Sequence, residues 1–416
     1  MLSAVLALTL ASSTPWGTGQ SRGEDLTVML VTFSPGDDLF SWWGHSALVV
    51  QDERLNVGRL YNYGMFGFDQ KTLWKFVQGR LEFWVGEAHP AGTLNFYKAL
   101  NRDVRIQELD LEPDQKLKVA KALDDNVQPE NRVYLYHHYN DNCATRPRDM
   151  VDLAVGGQLK AATAKPARMG LRAHTRRYSM VNPPMSVVLD YLQSHELDRP
   201  ITMQQEAFLP DELERQVDAL VVTHADGSQR PLVKKKTIWF QSDRPKVPEE
   251  APNYIPYLLA IGIATGGTAF TLGRLARNGR VWARRVLGLL NFVIGLVWGS
   301  FGLFLTLVWL FTDHEVAHHN ENLFLIHFVQ LGAVPWGIKL FRGKATAWKG
   351  LYWVWMISLG AAVLGLALKV LPPFYQNNWT IIALALPIIA GMAATFWEAR
   401  RGLRSSSPRS PSSPGC

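Results

Sequence analysis

The apolar positions of this 416-residue chain divide it into two unlike halves. Up to about residue 250 they form short runs among polar residues, whereas residues 254–397 consist of long apolar runs broken by short polar loops. Because about 20 apolar residues suffice to cross a bilayer, the second half predicts a membrane domain of five transmembrane helices. The third run is the weakest, since it is short and contains His327, Gln330 and Pro335. The predicted spans are 254–273, 286–311, 323–340, 351–371 and 380–397.

The first half mixes strand-like and helix-like patterns, which predicts an α+β domain over residues 25–245. Helical periodicity covers 113–126, the segment after Cys143 and most of 185–222. Strand-like runs of apolar residues lie at 26–33, 45–50, 59–65, 104–111 and 132–139.

The two ends of the chain have patterns of their own. An apolar stretch followed by small residues predicts a signal peptide, or a retained anchor, over residues 1–20. The end of the chain is rich in Ser and Pro and predicts a disordered tail over residues 398–416.

The distribution of Lys and Arg orients the predicted spans. These residues crowd the loops after the first and third spans and the tail, whereas loops 312–322 and 372–379 contain neither. By the positive-inside rule, the first half lies outside the cytoplasm of a bacterial cell and the C-terminus lies inside. The net charge of +7 then reflects topology, and we expect no nucleic-acid partner.

Cys143 is the most informative single residue. The chain has two cysteines, and the predicted topology places Cys143 outside and Cys416 inside, so they cannot pair. A lone thiol at the start of a helix is typical of a cysteine nucleophile, because unpaired backbone N–H groups there favour the thiolate. The alternative is a buried, inert cysteine.

A cysteine nucleophile needs a base, and His45 is the first candidate because it follows a glycine turn at the start of a predicted strand. His137 and His138 remain alternatives, since they are close to Cys143 along the chain. Asn62, on the next strand, is a candidate to orient the imidazole, and the N–H groups of the Cys143 helix are candidates for an oxyanion hole.

Several other residues are candidates for substrate contact. Arg146 and Arg148, one turn after Cys143, are suited to an anionic headgroup. Trp43 and Tyr61 belong to a dense set of aromatic residues that is either part of the core or the wall of an acyl groove.

Loop 312–322 lies on the predicted outer side, as does Cys143. His314, Asn320 and Asn322 are candidates for headgroup or substrate contact there. A solvated loop is an equal alternative, and a metal site using His314 and His318 is a weaker one. We assign no metal and no cofactor to the chain.

Three motifs in this order resemble the extracytoplasmic domain of the lipoprotein intramolecular transacylase family, Lnb, over about residues 25–220. They are 41–48 (SWWGHSAL), 61–66 (YNYGMF) and 140–146 (NDNCATR). The order of His and Cys and the Asn-Cys helix start also resemble permuted papain-like folds of the NlpC and lecithin–retinol acyltransferase groups. The resemblance implies that Cys143 is the nucleophile and His45 the base. Asn142, next to Cys143 in the third motif, is a further candidate for substrate contact.

The resemblance further implies a membrane-bound cysteine acyltransferase that acts on a membrane lipid or a lipoprotein. It would move an acyl chain from a glycerol ester to an amine through a thioester. Two alternatives stay open at this point. The first is a papain-like hydrolase of cell-wall peptides or lipid esters, and the second is a non-enzymatic assembly factor on an inert scaffold.

Overall fold

The computed structural model describes residues 13–67 and 70–405 and divides the chain into two compact units. Among the described residues, unit 1 comprises those up to 181 together with 200–251, and unit 2 comprises 182–199 and those from 252 onward. Most of the predicted signal segment, residues 1–12, and the end of the predicted tail, residues 406–416, lie outside the described residues.

A seven-stranded sheet forms the centre of unit 1, with the strand order β6-β4-β3-β2-β1-β5-β9. Every neighbouring pair in it is antiparallel. The remaining two strands, β7 and β8, form a separate hairpin. The strands are β1 Leu26–Phe33, β2 His45–Asp52, β3 Val57–Met65, β4 Glu82–Ala88, β5 Val104–Leu109, β6 Val133–Leu135, β7 Val221–Thr223, β8 Gln229–Pro231 and β9 Val233–Phe240.

Helices cover both faces of the sheet, because successive strand residues point to opposite sides and both sets are apolar. One core packs beneath α2, and the other packs beneath α3, α4 and α9. The helices of unit 1 are α1 Gln70–Gln78, α2 Pro90–Ala99, α3 Pro113–Asn126, α4 Thr145–Ala154, α5 Gln158–Ala162, α6 Leu171–Ser179, α8 Met203–Glu206 and α9 Pro210–Ala219.

Unit 1 begins earlier than residue 25. Trp16 is fully buried in the core beneath α3, and its Nε1 donates a hydrogen bond to the Tyr61 hydroxyl at 2.9 Å. Residues 13–20 thus belong to the folded unit, although the sequence pattern assigned them to a signal segment.

The strand predictions are incomplete, since β4, β7, β8 and β9 were not among them, and one predicted strand is too long. The predicted strand at 132–139 ends at Leu135, because the chain then turns and His137 Nδ1 accepts hydrogen bonds from the N–H groups of Tyr139 and Asn140. Strand β9 was missed because it lies at the sheet edge and carries Lys234, Lys235 and Lys236, and charged residues are usual on edge strands.

Unit 2 is helical. Its helices are α7 Pro183–Leu192, α10 Ile255–Arg277, α11 Val281–Phe311, α12 Ala333–Phe341, α13 Thr346–Leu368 and α14 Trp379–Ser405. Four of them, α10, α11, α13 and α14, are long and apolar enough to span a membrane. Helices α10 and α14 pack closely, since a Cβ on Gly266 would lie 2.3 Å from the Pro387 carbonyl oxygen.

The third predicted span is not one continuous helix. Segments Glu315–Phe324 and Phe328–Phe341 meet at a bend of 55°, so the described residues include four candidate spans, or five if the bent pair counts as one. The coarse architecture is therefore confirmed as a mixed α/β region followed by a helical region with four or five candidate spans.

Residues 182–199 interrupt the predicted 25–245 domain. Tyr191 on α7 is buried in the core of unit 2, and its hydroxyl donates a hydrogen bond to the Ile326 carbonyl at 3.2 Å. The segment belongs to the helical unit because its apolar side chains pack there.

Candidate active site

His45 is held at the first position of β2 by the turn before it. Gly44 has φ +78° and donates its N–H to the Ser41 carbonyl at 3.1 Å. A Cβ at Gly44 would lie 2.9 Å from the Phe33 carbonyl oxygen, so the turn requires glycine there. The His45 ring stacks on Tyr97 of α2 at a centroid distance of 5.9 Å.

Asn62 orients the His45 ring from the neighbouring strand. Asn62 is the register partner of Ala47, two residues beyond His45, so both side chains lie on the same face. His45 Nε2 is 2.5 Å from Asn62 Oδ1. Because Oδ1 can only accept, Nε2 carries the proton and Nδ1 is left as the basic atom.

Cys143 lies just before α4 and packs against β3 at Gly64. Gly64 has φ +94° at an irregularity in the pairing of β3 with β4, and a Cβ there would be 3.5 Å from the Cys143 Cβ. The backbone N–H of Ser46, the residue after His45, is directed at the Cys143 sulfur. The sulfur is therefore next to the start of the strand that carries the imidazole.

Cys143 and His45 are both neutral in the free protein. Burial raises the pKa of the Cys143 thiol to about 11, although the Ser46 N–H and the Arg102 guanidinium act in the opposite direction. Burial also lowers the pKa of His45 to about 4, and Arg102 contributes to that decrease, whereas the hydrogen bond to Asn62 opposes it. Desolvation thus outweighs the interactions that would favour a thiolate at this helix start.

The hydrogen bonds of Asn142 explain in part why the helix start does not favour the Cys143 thiolate. Its Oδ1 accepts hydrogen bonds from the N–H groups of Ala144 and Thr145, at 2.8 and 3.0 Å. Its Nδ2 donates to the carbonyls of His138 and Phe208. The side chain is buried with its polar atoms occupied, so it fixes the Cys143 loop and does not face a substrate. It also takes up N–H groups that were expected to form an oxyanion hole.

Arg102 was not predicted, yet its guanidinium interacts electrostatically with both His45 and Cys143. Only 5% of its surface is exposed. Its Nε donates to the Ser34 carbonyl at 2.5 Å, and its guanidinium lies 4.7 Å from the centroid of the Tyr97 ring. Its Nη2 has no hydrogen-bond partner within the described part of the chain. Nothing in the sequence distinguishes this arginine, because its position depends on long-range packing.

A cavity of about 410 Å³ opens onto these residues within unit 1. His45, Asn62, Gly64 and Arg102 line one part of it, and Cys143 lies beside Gly64. The cavity is in the size range of small-molecule sites. Apolar residues of its wall are Leu39, Phe40, Met65, Phe66, Phe96 and Leu100.

The structure separates the two aromatic candidates. Tyr61 is fully buried and accepts the hydrogen bond from Trp16, so it is a core residue and not part of a substrate groove. Trp43 is partly exposed and packs edge-on against His138 at 4.6 Å between centroids. Its buried Nε1 has no hydrogen-bond partner among the described residues.

The two arginine candidates already have protein partners. Arg146 makes a bidentate pair with Asp141, at 2.5 and 2.8 Å, and stacks over the Tyr134 ring. Arg148 donates to Asp149 and to the Gln204 carbonyl, both at close range. Each guanidinium is used within the fold, which argues against the predicted headgroup contact.

The alternative bases are less suited than His45. His137 Nδ1 accepts two backbone hydrogen bonds in its turn. His138 is packed among Trp43, Tyr139 and Phe208, and its buried Nε2 has no partner in the described chain. His45, in contrast, is oriented by the side-chain amide of Asn62.

The asparagines of loop 312–322 have structural roles in unit 2. Asn320 and Asn322 are buried, and both donate from Nδ2 to the Tyr191 carbonyl, at 3.0 and 2.9 Å. Asn322 Oδ1 accepts from Asn378 at 2.9 Å. These contacts argue against a role for the two residues as headgroup ligands. His314 is partly exposed.

Within the described residues, one group has donor atoms close enough to hold a metal ion, and it does not include His314 or His318. It consists of His174, Glu206 and Glu212, buried in unit 1. His174 pairs with Glu206 at 2.8 Å, and Glu212 pairs with Arg168 at 3.0 Å and Arg177 at 3.4 Å. Because arginines already balance the carboxylates, we assign this group a structural role.

Comparison with known families gives two matches. Residues 12–178 match the model described as the Lnb N-terminal periplasmic domain, and residues 263–400 match the Lnb transmembrane domain. Together the matches span well over half of the chain. They describe a membrane-anchored protein whose N-terminal domain lies outside the cytoplasm. No curated protein and no solved structure matches the chain.

Proposed function

Because this chain belongs to the Lnb family, whose domains are typical of membrane enzymes that modify lipoproteins, we propose that it is a membrane-bound cysteine acyltransferase. It moves an acyl chain from the glycerol ester of a lipid or lipoprotein to an amine through a thioester on Cys143. The observation that carries this proposal is the pairing of His45 with Asn62 beside the Ser46 N–H that faces the Cys143 sulfur.

The first half-reaction acylates the enzyme. His45 Nδ1 takes the thiol proton as the Cys143 sulfur attacks the ester carbonyl carbon. The tetrahedral intermediate collapses with cleavage of the bond between that carbon and the glycerol oxygen. The imidazolium gives its proton to the departing oxygen, which leaves a glycerol hydroxyl and an S-acyl Cys143.

The second half-reaction transfers the acyl group to an amine and regenerates the Cys143 thiol. A neutral amine attacks the thioester carbonyl, and His45 Nδ1 takes a proton from the nitrogen as the C–N bond forms. The C–S bond then breaks, and the same proton goes to the sulfur. The products are an amide and the thiol form of Cys143.

The protonation states fit a mechanism in which proton transfer accompanies attack. With the pKa of His45 at about 4, the imidazole is an unprotonated base at neutral pH. With the pKa of the thiol at about 11, Cys143 stays protonated until a substrate arrives. A neutral resting pair also protects a thiol outside the cytoplasm from oxidation, since the thiolate is the reactive form.

Arg102 is the best candidate to stabilise the oxyanion together with backbone N–H groups. Its charge is buried and its Nη2 is unpaired in the described chain, so a developing negative charge in the cavity would meet a preorganised donor. The Ser46 N–H, which is directed at the sulfur, is the second donor.

We also propose a fold type for the first domain and an orientation of the chain in the membrane. A cysteine at a helix start against an antiparallel sheet, with His45 earlier in the chain, supports a permuted papain-like arrangement. Five arginines between residues 274 and 285 and none in loop 312–322 support a cytoplasmic C-terminus in the bacterial inner membrane.

Mass spectrometry of a lipoprotein N-terminus in cells tests the proposal. Cells that carry the full chain should give an N-acylated lyso-lipoprotein, and cells with Cys143→Ala or His45→Ala should not. His138→Ala is the control for the alternative base, and Cys416→Ala is the control for the second thiol; both should retain the product.

A second measurement separates transfer from hydrolysis. Purified protein mixed with a diacylglyceryl lipopeptide should form a thioester that hydroxylamine cleaves to an acyl hydroxamate, and the acyl chain should reach the peptide amine. Release of free fatty acid without amide would support a hydrolase. An unchanged acylation pattern in Cys143→Ala cells would contradict any catalytic role for this thiol.

A further inference from the structure

Helix α1 presents its apolar side chains to the outside. Leu73, Trp74, Phe76 and Val77 are exposed to 61%, 63%, 43% and 49%. On a surface helix of a globular protein, such residues normally form the stripe that faces the core. Here α1 does not pack closely against another helix or strand in the described part of the chain, and Leu73, Trp74 and Val77 stay largely exposed.

The opposite face of α1 is polar. At 100° per residue, Leu73, Trp74, Phe76 and Val77 occupy one side of the helix, and Thr72, Lys75 and Gln78 occupy the other. Lysine opposite Trp, Phe and Leu is typical of helices that lie in a membrane interface. Trp is enriched at that depth because its ring is apolar and its N–H remains hydrated.

Two exposed apolar residues also lie at the cavity. Leu39 and Phe40 line the cavity and are themselves 38% and 58% exposed. The Phe40 ring contacts Phe66 with a centroid distance of 5.5 Å, and α1 begins four residues after Phe66. We name these exposed residues the apolar rim. They are Leu39, Phe40, Leu73, Trp74, Phe76 and Val77.

We propose that the apolar rim inserts into the outer interface of the bilayer in which the chain is anchored. The transmembrane helices tether unit 1 to that bilayer, so the lipid surface is permanently at high effective concentration. The rim would bring the cavity mouth to the depth of the lipid ester groups. Membrane contact at the rim does not depend on any reaction at Cys143.

A depth measurement on the full chain tests the inference. A background with Cys143→Ala and Cys416→Ala receives either Trp74→Cys or, as a control, Lys121→Cys on an exposed site of α3. Each cysteine is labelled with an environment-sensitive fluorophore, and the protein is reconstituted in phosphatidylcholine–phosphatidylglycerol vesicles that contain a shallow nitroxide lipid. The label at 74 should be quenched at least about twofold more than the label at 121.

Charge substitutions distinguish insertion from accidental proximity. Leu73→Glu with Phe76→Glu should lower the quenching at position 74 to the level at 121. The matched substitution Gln78→Glu, on the polar face, should leave quenching unchanged. Since all three side chains are outside the core, the melting temperature of unit 1 should not move.

Two results would overturn the inference. One is equal quenching at positions 74 and 121 in vesicles. The other is a label at 74 that is shielded only as protein concentration rises and is not quenched by the nitroxide lipid, which would assign the rim to a second protein molecule.

Discussion

The imidazole of His45 and the side-chain amide of Asn62 are joined across two neighbouring strands, with Nε2 2.5 Å from Oδ1. This contact fixes both the tautomer and the direction of the ring, so Nδ1 is the atom available to a thiol. The ring is also held by stacking on Tyr97. Asn62 is therefore a positioning residue whose removal should weaken the reaction without abolishing it.

We expect Asn62→Ala to lower kcat/KM about 10–100-fold, because the imidazole loses its orientation and also the hydrogen bond that raises the pKa of His45. In the wild type, the depressed pKa of His45, about 4, keeps the base unprotonated above that pH, so activity should fall only as pH approaches 4.

The pH profile of kcat/KM checks the role of Asn62. A carboxylate in Asn62→Asp would stabilise the imidazolium and raise the pKa of His45, so the acid limb should move to higher pH. A profile that is unchanged in Asn62→Asp would contradict contact between the two residues.

Alkylation of Cys143 should be slow at neutral pH. Burial raises the pKa of the thiol to about 11, so at pH 8 its thiolate fraction is on the order of 100-fold below that of an ordinary cysteine. Iodoacetamide should react faster as pH rises through 10, with an introduced cysteine at Lys121 as the exposed control. A rate that levels off below pH 8 would mean a preformed thiolate.

The parts of the site that the sequence predicted are those set by local pattern. Gly44 before a strand predicted where His45 lies, and the short connection between β2 and β3 made Asn62 a neighbour on the same face. In contrast, the partners of Arg102 and Asn142 depend on packing between segments that are far apart in the chain.

The same reason explains the misassigned candidates. Tyr61, Asn320 and Asn322 are residue types that often bind substrates, and no local pattern shows that a group distant in the chain already contacts them. The misassignment of residues 182–199 to the first domain has the same cause, because the sequence of α7 does not show that its apolar side chains pack in unit 2.

Gly64→Ala should impair the site through the backbone. The residue has φ +94°, where an L side chain is strained, and its new Cβ would touch the Cys143 Cβ at 3.5 Å. We expect the free energy of unfolding to fall by about 1 kcal/mol. We also expect kcat to fall by more than this loss of stability would cause. Chemical denaturation and steady-state kinetics measure the two effects.

Gly92→Ala is the matched control for that substitution. Gly92 lies in α2, and a Cβ there meets nothing within 4 Å, so it should raise stability slightly by helix propensity. If both substitutions behave alike, the conformation of Gly64 is not important.

Asn322→Ala should destabilise the helical unit. It removes the donor to the Tyr191 carbonyl and the acceptor for Asn378, both in buried surroundings, at a cost of about 2–3 kcal/mol. Thermal unfolding in detergent measures this loss, with His314→Ala expected within about 0.5 kcal/mol of the wild type. A stable Asn322→Ala protein that binds substrate poorly would restore the headgroup role.

Arg102→Met tests whether the buried guanidinium acts on the reaction. Methionine fills a similar volume without charge, so an oxyanion would lose its donor, and kcat should fall about 10–100-fold with a smaller change in KM. Because the guanidinium lowers the pKa of both His45 and Cys143, its loss should raise both. The acid limb should then move to higher pH, and alkylation of Cys143 should slow further.

Two further variants test whether the effect on kcat is due to the charge at position 102. Arg102→Lys keeps the charge and should retain part of the activity, whereas Arg244→Met changes an arginine of the same cavity that is already paired with Asp37. We expect Arg244→Met to alter kcat less than about threefold, because its charge is neutralised by that pair. A contrary outcome is that Arg102→Met lowers only the melting temperature, while kcat and the pH profile of the folded fraction stay as in the wild type. In that case Arg102 only supports packing with Tyr97 and Ser34, and the oxyanion must rely on backbone N–H groups.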